Sequence, residues 1–296
     1  MNLLECKDLH FAYAPKAPVL TGLDLRVAQG QVVGLLGSNG AGKTTLMHIA
    51  LGMLRPQRGA TRVFGIDPLV DPVQVKQRVG FLSEQQLLPP GMRVRAVLDF
   101  HRQLFPTWDK ALEHDLLERF PLDLRTRVAH LSKGQARQLG LLCAVAHRPE
   151  LLLLDEPAGG LDPAARRQFL EASIQLLNES GSTIVFSSHH MTDVERMADR
   201  IVLLDGGGLL LDGALDELHE QYVVAVLPGS GANAQKLADL HSCLRVRRHK
   251  NTVHAVLRGT SEAVGVSLAR ELPEAHAACQ HVPLEELFVE LLGVDS

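Results

Sequence analysis

Gly37-Ser38-Asn39-Gly40-Ala41-Gly42-Lys43-Thr44 decides how this chain is read. The octapeptide has the spacing G-x-x-x-x-G-K-[ST]. It stands between a continuous apolar run at residues 31–36 and a stretch, 44–54, where apolar side chains recur at helical intervals. A strand buried on both faces of a parallel sheet, a glycine-rich turn and a helix are therefore expected in that order. The order has an electrostatic consequence. Glycines let backbone N–H groups turn inward around phosphate oxygens, and the helix N-terminus adds the positive end of its dipole. Lys43 is placed to reach β- and γ-phosphates and Thr44 offers a hydroxyl to Mg2+, with the neighbouring loop residues and Thr45 completing the cradle. The stretch predicts nucleotide binding.

A second segment supports this reading. Leu151-Leu152-Leu153-Leu154-Asp155-Glu156 is an apolar strand ending in two carboxylates, which a buried strand delivers to the C-terminal edge of the sheet. Asp155 is suited to holding Mg2+, often through water. Glu156 is suited to polarising an attacking water or taking its proton. Taken singly, each segment has a plainer reading: a glycine turn before Lys-Thr, or a turn before Pro157. Together they predict a P-loop NTPase that uses ATP and Mg2+.

The rest of the sequence is consistent with a soluble α/β protein. Its 296 residues are 46% hydrophobic and 22% charged, with a net charge of −4, which suits one large or two unequal globular domains and gives no basic excess for nucleic acid. No apolar stretch approaches the roughly 18 residues of a membrane span, and mean hydropathy is +0.05. The four cysteines, scattered and without metal-ligand spacing, read as reduced packing residues. No secretion-type leader pattern opens the sequence. Residues 3–9 and 19–27 alternate like half-buried strands around a proline-containing turn. Residues 94–147 switch to helical periodicity, and 151–154 and 183–186 return to buried-strand runs that bracket a helix expected at 163–178. Residues 201–204 and 208–211 read as a hairpin. After about Leu218 the motifs stop, and a small βαββαβ appendage is expected over 219–296, following a cassette over 1–218 with a helical subdomain at about 90–147.

Within that frame, Leu131-Ser132-Lys133-Gly134-Gln135 precedes the Asp155 strand and resembles the LSGGQ signature of ABC (ATP-binding cassette) proteins. Gly160-Leu161-Asp162 resembles that family's D-loop, His189 after Ser187-Ser188 its switch histidine, and Tyr13 its adenine-stacking aromatic. Each has a plainer reading: Ser132 as a helix cap, His189 as a surface histidine, Tyr13 as strand packing. The resemblance implies an antiparallel β subdomain and a helical subdomain around a P-loop core. It also implies two cassettes closed head to tail, with each ATP between the phosphate loop of one chain and Ser132, Lys133, Gly134 and Gln135 of the other. Lys43, Glu156 and His189 would then be catalytic, and Asp162 would link the two sites. Three departures stand out: Glu84 rather than Gln85 falls where the family has its Q-loop glutamine, Lys133 replaces a signature glycine, and Ala158-Gly159 stands where a hydroxyl residue is common.

A single cassette without spans resembles the ATPase subunits of ABC-2 type exporters, as does the late segment Pro283-Leu284-Glu285-Glu286-Leu287-Phe288. The resemblance implies a homodimer or heterodimer of cassettes, a separate membrane-spanning permease and a peripheral place on the cytoplasmic face of the inner membrane. The alternative is a soluble ABC ATPase, ribosome-associated or regulatory. The basic cluster around Arg245, Arg247, Arg248 and Lys250 reads as a strand edge protected by charge.

Overall fold

The computed structural model describes residues 1–85, 88–162, 166–167, 169–170, 181–228, 231–272, 278–280 and 284–292. The chain divides into two compact units, one ending at Asp212 and the other beginning at Gly213.

In the first unit, β1 (Asn2–Ala14) and β2 (Ala17–Ala28) form the antiparallel hairpin that the alternating pattern predicts, with Cys6 opposite Leu25 and Phe11 opposite Leu20. β3 (Val32–Gly37) then runs into the glycine loop and α1 (Lys43–Ala50), and β4 (Arg58–Val63) pairs with β1. Leu9, Leu23, Val33, Leu35, Leu46 and Ile49 share one core, so the hairpin sheet, β3 and α1 are fixed to one another by apolar burial.

The main sheet has the order β5-β6-β7-β3-β8-β9. α2 (Pro72–Arg78) leads into β5 (Val79–Leu82), with β6 (Leu151–Leu154) and β7 (Thr183–Ser187) beside it. The pairs β5–β6, β6–β7, β7–β3 and β3–β8 are all parallel. All four leucines of β6 are buried, which is why the run is continuous rather than alternating. β8 (Arg200–Asp205) and β9 (Gly208–Ala214) are neighbours across the two-residue turn Gly206-Gly207. Because β7 lies between β6 and β3 and all three run parallel, the glycine loop after β3 and the carboxylates Asp155 and Glu156 after β6 emerge at the same edge of the sheet, on either side of the end of β7. That edge is where open α/β sheets gather ligands.

The helical segment contains α3 (Val94–Leu104), α4 (Lys110–Arg119) and α5 (Lys133–Val145). Asp109 caps α4 by accepting the N–H groups of Ala111 and Leu112 at 2.8 and 3.0 Å. Leu116 and Phe120 are core residues. Trp108 donates its indole N–H to the buried Glu113 at 2.7 Å, and Arg102 pairs with the same carboxylate, so Trp108 has a structural role here. The helix expected at 163–178 lies outside the described residues, except for helical backbone at 166–167 and 169–170.

α5 presses so closely on β5 that a Cβ at Gly80 would stand 2.2 Å from the Ala144 carbonyl oxygen. Gly80→Ala is therefore expected to destabilise the first unit by about 1–3 kcal/mol. A lowered urea midpoint at unchanged slope would show this, and an unchanged midpoint would contradict it.

In the second unit, α7 (Leu215–Gln221) precedes β10 (Tyr222–Pro228), α8 (Gly231–Ala238), β11 (Cys243–His249), β12 (Thr252–Arg258), α9 (Ser261–Glu271) and β13 (Ala278–Gln280), with α6 (Met191–Met197) belonging to the first unit. The strands form an antiparallel sheet of order β11-β12-β10-β13 over a core that includes Val223, Ala225, Leu237, Ala255 and Leu268. A final helix, α10 (Leu284–Leu292), follows the βαββαβ series. The division falls between Asp212 and Gly213, a few residues ahead of the point near Leu218 where the motifs stop. The basic strand β11 is at the sheet edge, where Arg247 donates to the Val289 carbonyl at 3.0 Å.

Candidate active site

The phosphate loop depends on a backbone shape that only glycine supplies cheaply. Gly42, the N-cap of α1, has φ +102, and a Cβ there would stand 2.6 Å from Leu20 Cδ2. The next residue, Lys43, is buried, and its Nζ donates to the carbonyls of Gly37 at 2.6 Å and Ser38 at 3.2 Å. Burial pulls the Lys43 pKa below the ordinary lysine value, while the charges of Glu156, Asp155 and Glu84 draw it back up. The ammonium is thus held over the bend by the loop's own carbonyls and faces three carboxylates.

Two of those carboxylate residues, Asp155 and Glu156, are fixed from α1 and from the end of β7. Thr44 donates its hydroxyl to Asp155 Oδ2 at 2.7 Å, and Ser187 donates to Asp155 Oδ1 at 2.7 Å. Ser187 also accepts the Glu156 N–H at 2.7 Å, so one hydroxyl at the end of β7 locks both residues at the end of β6. Glu156 adopts φ +45, a left-handed conformation that costs a non-glycine residue about 1–3 kcal/mol. The Ser187 bond and the Gly159 N–H, which donates to the Glu156 carbonyl at 2.9 Å, hold it there. His189 Nδ1 lies 2.8 Å from Glu156 Oε2.

A cavity of about 280 Å3 opens between these groups. Asn39, Gly40, Ala41, Lys43 and Thr44 line one side, and Glu84, Glu156 and His189 line the other. Backbone donors, an ammonium, a hydroxyl beside a carboxylate and a strained glutamate with a histidine partner together suit the binding and hydrolysis of a polyphosphate. The oxygens of Thr44 and Asp155 fit a hard divalent cation that keeps water and phosphate in its remaining positions; among the described residues no cluster of three or more His, Cys, Asp or Glu would cage a metal without them. Tyr13 is exposed next to this region, its hydroxyl 3.2 Å from Thr45 Oγ1 and its ring edge-on to Phe11 at 4.9 Å.

Other expected site residues stand apart from the cavity. Gln85 does not line it, and its carbonyl accepts from the Ser83 hydroxyl. Of the Glu84-Gln85 pair the fold therefore delivers Glu84, the position reached first after β5. Ser132, Lys133, Gly134 and Gln135 open α5, where Ser132 Oγ accepts the Gln135 N–H at 3.1 Å and Gln135 Oε1 accepts the Ser132 N–H at 3.0 Å. The signature is thus also a capping box, and its serine and lysine are exposed. None of the four lines the cavity of its own chain, and neither does Asp162, whose carbonyl accepts the Arg166 N–H at 2.8 Å. Ser187 was missed as a functional residue by sequence reasoning. Its place two positions before His189 at a strand end was the available signal.

Residues 20–159, which hold the phosphate loop, the signature segment and both strand-end carboxylates, match the family described as ABC transporter. The chain is 33% identical to the daunorubicin resistance ATP-binding protein DrrA3 of Streptomyces coeruleorubidus over 93% of this chain and 92% of that one. The chain belongs to the ABC transporter ATP-binding family. This ABC ATPase is also 34% identical to the Nod factor export ATP-binding protein I of Rhizobium etli, over 75% of its own length and 72% of that protein's. A solved structure of the ATP-binding subunit of an ABC transporter superposes with a TM-score of 0.66 at 30% identity, covering 73% of this chain and 92% of that one. As a member of the family the chain binds and hydrolyses ATP, and such ATPase domains dimerise and pair with membrane subunits. No described helix is long and apolar enough to cross a membrane.

Proposed function

We propose that this ABC ATPase is the motor of an exporter, in which two cassettes close over two ATP molecules and drive a separate permease. One observation carries the proposal: the cavity has a complete phosphate-binding and water-activating set, yet the exposed signature segment at the tip of α5 faces no nucleotide cavity of its own chain. A second cassette, from the same or a sister chain, gives that segment its ligand. Lys43 and the loop amides grip the phosphates, Tyr13 stacks on the base, and Ser132 to Gln135 of the opposing chain offer N–H and hydroxyl donors to the γ-phosphate. Thr44 and Asp155 hold Mg2+, whose charge offsets that of the phosphate oxygens when bound. Glu156 orients the attacking water and takes its proton, His189 contacts the γ-phosphate, and Asp162 connects the two sites. ATP closes the pair, and loss of phosphate releases it as domain movement.

Export is supported by the relatives named for drug resistance and Nod factor export. An apolar groove of about 390 Å3, lined by Phe81, Leu82, His101, Phe105 and Cys143, offers a permease segment a seat close to Ser83 and the Glu84 loop. On this reading the chain works at the cytoplasmic face of the membrane, and its partners are a second cassette and a permease rather than a nucleic acid. Tagged chain recovered from detergent-solubilised host membranes is expected to carry a multi-span polypeptide with it and to lose ATP hydrolysis in EDTA. A chain found only in the soluble fraction without such a partner would remove the transporter reading.

A further inference from the structure

Arg137 is buried in the second turn of α5, beyond the signature segment. Its Nη1 donates to the Ser83 carbonyl at 2.9 Å, and its Nη2 donates to the carbonyls of Glu84 at 2.6 Å and Gly159 at 3.4 Å. The first two carbonyls belong to the loop after β5, which brings Glu84 to the cavity. The third belongs to the turn that begins at Glu156 and continues to Asp162. Burial pulls the guanidinium pKa below the ordinary arginine value, and the charges of Glu84, Asp155 and Glu156 partly restore it. Among the described residues no carboxylate forms an ion pair with this group, so three main-chain oxygens satisfy a buried cation. A buried charge that loses such acceptors is costly: displacement of the loop after β5 would strip it of two, and displacement of the turn after Glu156 would strip it of the third.

We infer that Arg137 is a positioning residue for ATP hydrolysis: its forked guanidinium fastens the helix carrying the signature segment to both loops that carry Glu84 and Glu156. The surface that meets the opposing chain's nucleotide and the surface that meets this chain's own nucleotide then shift together. The inference rests on the two-cassette reading above. It differs from the role of Lys43, which faces the same three carboxylates from the phosphate side.

Arg137→Lys keeps the charge and loses the fork, which separates positioning from electrostatics. In the full-length chain with MgATP, Arg137→Lys is expected to bind ATP within about twofold of the parent, with kcat at least about tenfold lower and the Hill coefficient falling from near two toward one. Arg137→Gln is expected to lose kcat to the same extent and to raise KM as well, because three carboxylates then face the triphosphate with one cation fewer. Retention of the parent kcat and Hill coefficient by Arg137→Lys overturns the inference while leaving the two-cassette reading intact. Loss of ATP binding in Arg137→Lys also overturns it, in favour of simple structural support. A parent chain that hydrolyses ATP without cooperativity and without pairing removes the two-cassette reading, and the inference with it.

Discussion

Glu156→Gln is expected to lower kcat by about 100-fold or more while leaving MgATP affinity within a few-fold of the parent. The amide keeps the shape of the side chain but cannot take a proton from water. The backbone features that present the residue do not depend on the carboxylate: φ +45, the Ser187 bond to its N–H and the Gly159 bond to its carbonyl all remain. The His189 contact at 2.8 Å can be kept by the amide oxygen. The loss therefore falls on chemistry rather than on binding or folding. Steady-state phosphate release beside equilibrium nucleotide binding measures both halves, and turnover at the parent rate would strip Glu156 of its assigned role.

Lys43→Ala is expected to weaken ATP binding by about 100-fold, close to 3 kcal/mol, the size of a charge-assisted contact to phosphate. The side chain is buried and held over the bend by two carbonyls, so its position is set before a ligand arrives. Its removal also leaves Glu156, Asp155 and Glu84 facing a triphosphate with less compensation. Isothermal titration with MgATP reads the effect, with unfolding by urea as the control for integrity. Unchanged affinity would mean that the loop amides alone bind the phosphates.

Much of this site is legible in the sequence because its parts are local. A phosphate loop needs glycine, lysine and threonine at fixed spacing, and β6 must be apolar throughout because both faces of the sheet are buried there. The carboxylates that end β6 are legible for the same reason. What is hidden depends on residues far apart in the chain. Ser187 reaches Asp155 and Glu156 only because β7 pairs with β6, and Arg137 reaches Ser83, Glu84 and Gly159 only because α5 packs over β5. As a sequence feature Arg137 is one of four polar positions in the first half of α5, beside Lys133, Gln135 and Gln138, and nothing local marks it out. The Glu84-Gln85 choice is similar, since neighbouring residues of a loop carry no period and the end of β5 settles which one arrives at the cavity. In the second unit the segment Pro283 to Phe288 carries a family resemblance in the sequence but no element of the expected βαββαβ series, and the structure makes 284–292 the helix α10.

In the proposed function a nucleotide site is finished by an opposing cassette's signature segment. Light scattering of Glu156→Gln with MgATP, with MgADP and without nucleotide tests it most directly. A doubled mass is expected with MgATP alone, abolished when a bulky charge is added by Ser132→Arg. A single-chain mass under all three conditions, at concentrations where MgATP is demonstrably bound, would contradict it.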